Sequence, residues 1–178
     1  MKIKIIAGLG NPGPEYEKTY HNLGLLFIQQ FIAKYEGSIR QERLYGYSKI
    51  TKNEKEIIAI KPLTFMNDSG RPIKEAMKKF NCHPEELIVV HDDADLKIGN
   101  YKLSFGSGSA GHNGINSIIK SIGTKDFYRL RIGIRDESPA DREKAGEIVL
   151  KQIPKNHQVI LDKTINKILE DGKIINAF

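Results

Sequence analysis

Apolar positions along the 178-residue chain recur at two alternating periods, near 2 and near 3.6, separated by polar breaks. Residues 2–8, with Ile3, Ile5 and Ile6, read as a buried strand. From 21 to 36, Leu25, Ile28, Ile32 and Tyr35 fall at helical spacing. Residues 45–50 and 57–60 flank the polar turn at 52–55 and predict a hairpin. Ser69 is placed to cap a helix whose inner stripe is Ile73, Met77 and Phe80, with Pro72 tolerated near its start. Residues 87–90 predict a short buried strand ending in His91-Asp92-Asp93-Ala94-Asp95, and residues 101–105 another. A small-residue loop at 106–111 (GSGSAG) then opens a helix over 112–122. Residues 127–134 alternate as a strand, and helical patterns near 141–151 and 156–170 follow. Residues 138–141 are expected to be the most mobile connection.

Strands thus alternate with helices, with one antiparallel hairpin and no internal repeat or linker. This predicts an α/β fold: a single domain over residues 1–178, a sandwich with a mixed, twisted central sheet flanked by helices.

The loop after the first strand contains Gly8, Gly10 and Gly13, which match the dinucleotide pattern G-x-G-x-x-G. The context rejects that reading. Phosphate binding needs a helix to open at the glycines. Pro12 has no N–H, Pro14 disfavours helical geometry at Gly13, and helical periodicity starts only near His21. The loop instead presents side chains, chiefly Asn11 and His21.

Four segments place polar residues just after buried strands or at loop-to-helix junctions: Asn11 with His21, Phe65-Met66-Asn67, His91-Asp92-Asp93, and His112-Asn113. Such residues converge at one edge of an α/β sheet. Together they offer a base, a carboxylate and several neutral amides. Amides donate to a carbonyl oxygen and to the oxyanion it becomes. No serine or cysteine nucleophile stands out: the Gly-x-Ser-x-Gly pattern fails at Ala110, and Cys82 falls in a loop sequence. Water activated by His21 is the simpler chemistry, with Asp92 as its carboxylate partner because it follows the buried strand. Asp93 and Asp95 are rivals, Asp95 being expected to shape the turn.

A magnesium site built from His91, Asp92, Asp93 and Asp95 is an alternative. It is disfavoured because adjacent strand residues point to opposite faces. His112 reads equally as a helix cap or a site residue. His83 and His157 read as surface residues, and Lys151, Lys155, Lys163 and Lys167 as a solvated helix face.

The formal charge of +6 and pI near 9.3 permit a polyanionic partner without requiring one. The single cysteine allows no intramolecular disulfide and fits a reducing compartment. No apolar run approaches the roughly 18 residues of a membrane helix. The first ten residues lack signal-peptide features, so a cytoplasmic protein without a membrane partner is expected.

Five segments carry a family resemblance: GLGNPGPEYEKTYHNLG (8–24), KPLTFMNDSG (61–70), VVHDDADLKIG (89–99), GHNG (111–114) and FYRLRIGI (127–134). In this order they resemble bacterial peptidyl-tRNA hydrolase, over essentially the whole chain. The resemblance implies cleavage of the ester joining a peptide to the 3′ ribose of tRNA. It also implies one α/β domain, a monomer, and no metal or cofactor. By position it makes His21 the base and Asp92 its partner. Asn11 and Asn67 match substrate-binding asparagines, Asn113 one that holds the peptide side, and Tyr16 and Met66 line the site. Lys102 and Arg131 match basic positions that clamp the tRNA 5′-phosphate. The chain departs from the family at Ser104, where a second basic residue is common, and in its GSGSAG loop. Arg131 also has a plainer reading, as a strand residue paired to an acid. The rival from another class is a non-catalytic RNA-binding protein. The complete set of His21, Asp92 and three asparagines argues against it.

Overall fold

The computed structural model describes residues 2–52, 55–136 and 145–171. Its strands are β1 (Ile5–Gly8), β2 (Arg40–Gln41), β3 (Tyr45–Lys52), β4 (Lys55–Pro62), β5 (Leu87–Lys97), β6 (Tyr101–Phe105) and β7 (Tyr128–Arg135). Its helices are α1 (Leu23–Lys34), α2 (Gly70–Lys79), α3 (Asn113–Ile122), α4 (Ala145–Ile148) and α5 (Lys155–Glu170). Among the described residues the strands form one seven-stranded sheet, in the order β2-β3-β4-β1-β5-β7-β6. β1 runs parallel to β4 and β5, and β5 parallel to β7. The pairs β2–β3, β3–β4 and β6–β7 are antiparallel. The sheet is mixed, as the periodicity predicts, with two antiparallel pairs beyond the expected hairpin.

The period of two sorts side chains onto two cores. Ile6, Ile88, Val90 and Leu130 pack with Phe27, Phe31, Leu161 and Ile165 beneath α1 and α5. Ile5, Ala7, Leu87, Val89 and Phe127 pack with Ile73, Met77, Ile115 and Ile118 beneath α2 and α3. Continued along β5, the same alternation puts Asp92 on the α1 face, with His91 and Asp93 on the α3 face. β1 is flanked by β4 on one side and β5 on the other. Strand order therefore reverses at its C-terminal end, where α/β sheets open a crevice.

A contact between bare backbones sets how closely α1 approaches this crevice. A Cβ on Gly24 would lie 2.3 Å from both Leu9 N and Val90 O, and one on Gly8 would lie 2.0 Å from Gly24 O. The first turn of α1 thus rests directly on the ends of β1 and β5. His21, one turn earlier, is brought over Asp92.

Several boundaries differ from expectation. α1 begins at Leu23, after a 3₁₀ turn at Tyr20–Asn22, and another 3₁₀ turn occupies Pro14–Tyr16. No α-helix opens at the glycines. β5 continues through the acidic segment to Lys97, because its ladder with β7 runs on through Asp93↔Gly133 before a bulge. Ser69 does not cap α2 with its side chain. Its hydroxyl donates back to Met66 O (2.9 Å), and Gly70 N–H is received instead by Ser117 Oγ of α3 (3.0 Å). His157 is buried where the surface was expected. Lys155, Lys163 and Lys167 are exposed on α5, whereas Lys151 precedes that helix. The turn residues 53–54 and the connection at 138–141 lie outside the described residues.

Gly24→Ala is expected to lower the unfolding free energy by about 3 kcal/mol, because backbone atoms cannot move aside as a flexible side chain would. Urea denaturation should show a lower midpoint at unchanged slope. A wild-type midpoint would mean that the contact can relax.

Candidate active site

A cleft of about 580 Å³ opens at the C-terminal ends of β1 and β5. His21, Asp92, Asn11, Met66, Asn67 and Asn113 all line it, and so do His91 and His112. Six hydrogen-bond contacts assign the proton positions on the three histidines. His21 Nδ1 lies 2.9 and 3.2 Å from the two carboxylate oxygens of Asp92. A carboxylate accepts, so Nδ1 carries the proton and Nε2 holds a lone pair. His112 Nδ1 accepts from Gly114 N–H (3.1 Å) and more weakly from Ile115 N–H (3.4 Å), capping α3. Its proton is therefore on Nε2, which donates to Asp92 Oδ1 (3.2 Å). His91 Nδ1 donates to the Asp92 backbone carbonyl (2.7 Å), and its Nε2 is buried without a partner among the described residues.

Asp92 is 2% exposed. Burial alone would raise its carboxyl, but His112 and then His21, by charge and hydrogen bond, hold it well below the usual carboxylate range. His91 goes the other way. Burial first, and the neighbouring His112 second, push it well below the usual imidazole range and keep it neutral. Its ring packs edge-on against His112 with centroids 4.6 Å apart.

Asn11 is held by its own backbone. Asn22 Oδ1 accepts from Asn11 N–H (2.7 Å), and Asn22 Nδ2 donates to Asn11 O (3.0 Å). Asn11 Oδ1 then accepts from Met66 N–H (2.8 Å), which leaves its Nδ2 donor without a partner among the described residues. Asn67, in the 3₁₀ turn Met66–Asp68, and Asn113, the first residue of α3, are exposed at the cleft wall. Tyr16 stands beside the cleft, half-buried, with its ring edge-on to the exposed Phe65 at 6.3 Å.

Arg131 and Lys102 are directly opposite on β7 and β6, as are Arg129 and Ser104. Lys102 is exposed. Arg131 Nε donates to Asp93 Oδ2, so the plainer reading of this arginine describes the resting structure. Asp93 Oδ1 accepts from Asp95 N–H (2.8 Å). This bond lies within β5, and the turn expected at Asp95 falls instead at residues 98–99. Buried Arg129 donates to Gly108 O and ties down the small-residue loop.

The donors suit a metal poorly. With His91 and Asp93 engaged as described, the set drawn from 91–95 does not converge. Among the described residues His21, Asp92 and His112 bring ligand atoms within 4.8 Å of one another. A metal on His112 Nε2 would need Nδ1 protonated, and Nδ1 already faces two N–H donors. A cysteine nucleophile fares no better: burial pushes the Cys82 thiol up to about 12.

One of these residues, Asn22, escaped sequence reasoning. It signals itself only as the neighbour of His21. His112 is both helix cap and site residue, so neither reading alone was sufficient.

Fold and site together define a hydrolytic enzyme built on an α/β sandwich. A family model described as peptidyl-tRNA hydrolase matches residues 5–176. The peptidyl-tRNA hydrolase of Mycoplasma capricolum subsp. capricolum is 43% identical over 178 residues, covering 99% of this chain and 92% of that protein. That of Aquifex aeolicus is 39% identical over 169 residues, covering 94% and 86%. The crystal structure of peptidyl-tRNA hydrolase from Acinetobacter baumannii matches at a TM-score of 0.86 and 33% identity, covering 98% of this chain and 92% of that one. The chain belongs to the peptidyl-tRNA hydrolase family.

His91 should leave a signature in the pH dependence of stability. Unfolded, it takes up a proton near pH 6.5; folded, it resists until well below that. Its contribution is therefore fully present above about pH 6.5 and is lost as pH falls through the window beneath it, at up to about 1.4 kcal/mol per pH unit. His91→Asn keeps a donor for the Asp92 carbonyl and should remove that part of the slope. Urea midpoints at pH 7, 6 and 5 measure it, and parallel slopes in both proteins would refute it.

Proposed function

We propose that this enzyme hydrolyses the ester between a peptide, or an N-blocked amino acid, and the 3′ ribose of tRNA, with water as nucleophile and His21 as general base. The observation that carries this reading is the His21–Asp92 pair. One imidazole nitrogen is committed to the carboxylate, and the other has a lone pair and no partner among the described residues. His21 Nε2 takes a proton from water as the oxygen attacks the ester carbonyl. The tetrahedral intermediate then collapses, and the ribose 3′-oxygen leaves with that proton. Asp92 stabilises the transient imidazolium. His112, by donating to the same carboxylate, keeps it in place without competing for the proton.

General-base assistance contributes roughly 10²–10⁴ in rate. One amide aimed at the oxyanion contributes on the order of 3 kcal/mol. Asn11 is the best-held donor for that purpose, and Asn67 and Asn113 suit the peptide backbone, which every peptide shares. Tyr16 and Met66 complete the cleft edge. Lys102 and Arg131 hold tRNA phosphate, with Asp93 releasing the Arg131 guanidinium when phosphate arrives; Ser104 contributes no charge there. The protein works as a cytoplasmic monomer, one domain over 1–178, without metal or cofactor, and returns tRNA to translation. No helix among the described residues is long and apolar enough to cross a membrane.

His21→Ala should slow release of the amino acid from N-acetyl-aminoacyl-tRNA by at least about a hundredfold. A well-folded wild type that binds tRNA but releases nothing would favour the RNA-binding alternative. Arg131→Ala should raise KM and make the salt dependence of binding shallower by about one unit of slope. An unchanged slope with lowered stability would leave Arg131 only its role as partner of Asp93.

A further inference from the structure

Part of the cleft wall comes from the strip 149–153, which pairs with the loop that carries His21. Val149 and Leu150 line the cleft, and Leu150 is 51% exposed. The strip runs antiparallel to the loop that carries His21. Thr19 bridges Gln152, His21 N–H donates to Val149 O (2.8 Å), and Ile153 N–H donates to Lys18 O (2.8 Å). Gln152 Nε2 donates to Glu15 O (2.8 Å). An isolated pair of this length is marginal without side-chain support.

Ile153 supplies apolar support from the core, Gln158 Nε2 donates to Ile153 O (2.7 Å), and further support comes from a polar chain not used by the chemistry. The Tyr20 hydroxyl donates to His157 Nδ1 at 2.5 Å, across 137 residues of sequence. This leaves the proton of His157 on Nε2, 3.4 Å from Asp136 Oδ2. Both Tyr20 and His157 are buried. Burial, reinforced by Asp136, raises the Tyr20 hydroxyl, so it remains a donor. Tyr20 precedes His21, His157 lies in the first turn of α5, and Asp136 follows β7.

We propose that Tyr20, His157 and Asp136 form a latch that clamps α5 and the strip 149–153 onto the catalytic loop, and so sets the grip of the cleft on the apolar part of its substrate. The proposal rests on the hydrolase reading above for its substrate. All three are positioning residues. None is needed for proton transfer, so loosening the latch weakens binding and spares the chemical step.

Tyr20→Phe removes the hydroxyl and keeps the ring. KM for N-acetyl-aminoacyl-tRNA should rise about fivefold, the size expected for one lost buried hydrogen bond, with kcat within about twofold of wild type. Hydrogen exchange at the His21 and Ile153 amides should accelerate at least about tenfold, while the Ile6 amide in β1 keeps its rate. His157→Asn in the wild-type background retains an acceptor near the position of Nδ1 and should keep most of the affinity. If Tyr20→Phe does not fold, Asp136→Asn, at the half-exposed end of the chain, should show the same changes at smaller size. A variant with lowered Tm but wild-type KM and exchange overturns the latch, as does a large loss of kcat at constant KM. Wild-type protein that releases no amino acid would overturn the hydrolase reading alone, since the exchange rates report on the latch without turnover.

Discussion

A carboxylate can stay ionised inside a protein only where donors surround it, and the fold around this cleft is organised to supply them to Asp92. One N–H comes from His21 ahead of α1 and one from His112 ahead of α3, while His91 secures the carbonyl of Asp92 itself. The ends of three elements therefore meet at a single residue. Removing either imidazole donor would leave a buried charge short of partners, a change that typically costs about 3–5 kcal/mol. The geometry of the cleft and local stability depend on the same contacts.

These contacts also give the site a direction. His112 could donate through either nitrogen in isolation, but the free N–H groups at the start of α3 claim Nδ1 and turn Nε2–H to the carboxylate. His21 has no such helix to cap. Among the described residues its ring hydrogen-bonds to Asp92 alone, so Nε2 is left with its lone pair. Two histidines on one carboxylate thus take different parts: one completes the support, and the other keeps a basic nitrogen for the cleft. The difference arises from backbone geometry, with no need for unlike side chains.

Much of this was legible in the sequence, for identifiable reasons. β6 has the bounds that its alternation predicts, and the choice of Asp92 followed from the apolar run before it. What failed depends on contacts remote in the chain. His157 stands among lysines and polar residues and reads as exposed; its burial follows from Tyr20, which local periodicity cannot reveal. β2 has only two residues, both exposed, and exists because β3 offers an edge. Asp95 lies in a strand and not in the expected turn because β5 continues past Val90, which in turn needs β7 as a neighbour. His112 could not be assigned from sequence because a capping histidine and a site histidine occupy the same place before a helix.

The division between Asp92 and Asp93 shows how narrowly the arrangement is specified. They are adjacent on β5, yet Asp92 reaches His21 on one face while Asp93 pairs with Arg131 on the other. A strand changes face at every residue, so a slip of one position would turn Asp93 toward the imidazole and Asp92 toward the guanidinium. The apolar run before them prevents that slip, because it would also move Ile88 and Val90 out of one core and Leu87 and Val89 out of the other. The bulge that relaxes the ladder falls only after Asp93, where register no longer bears on either acid. The hydrophobic pattern of β5 is therefore part of the site: it is what separates a carboxylate that holds an imidazole from one that holds an arginine.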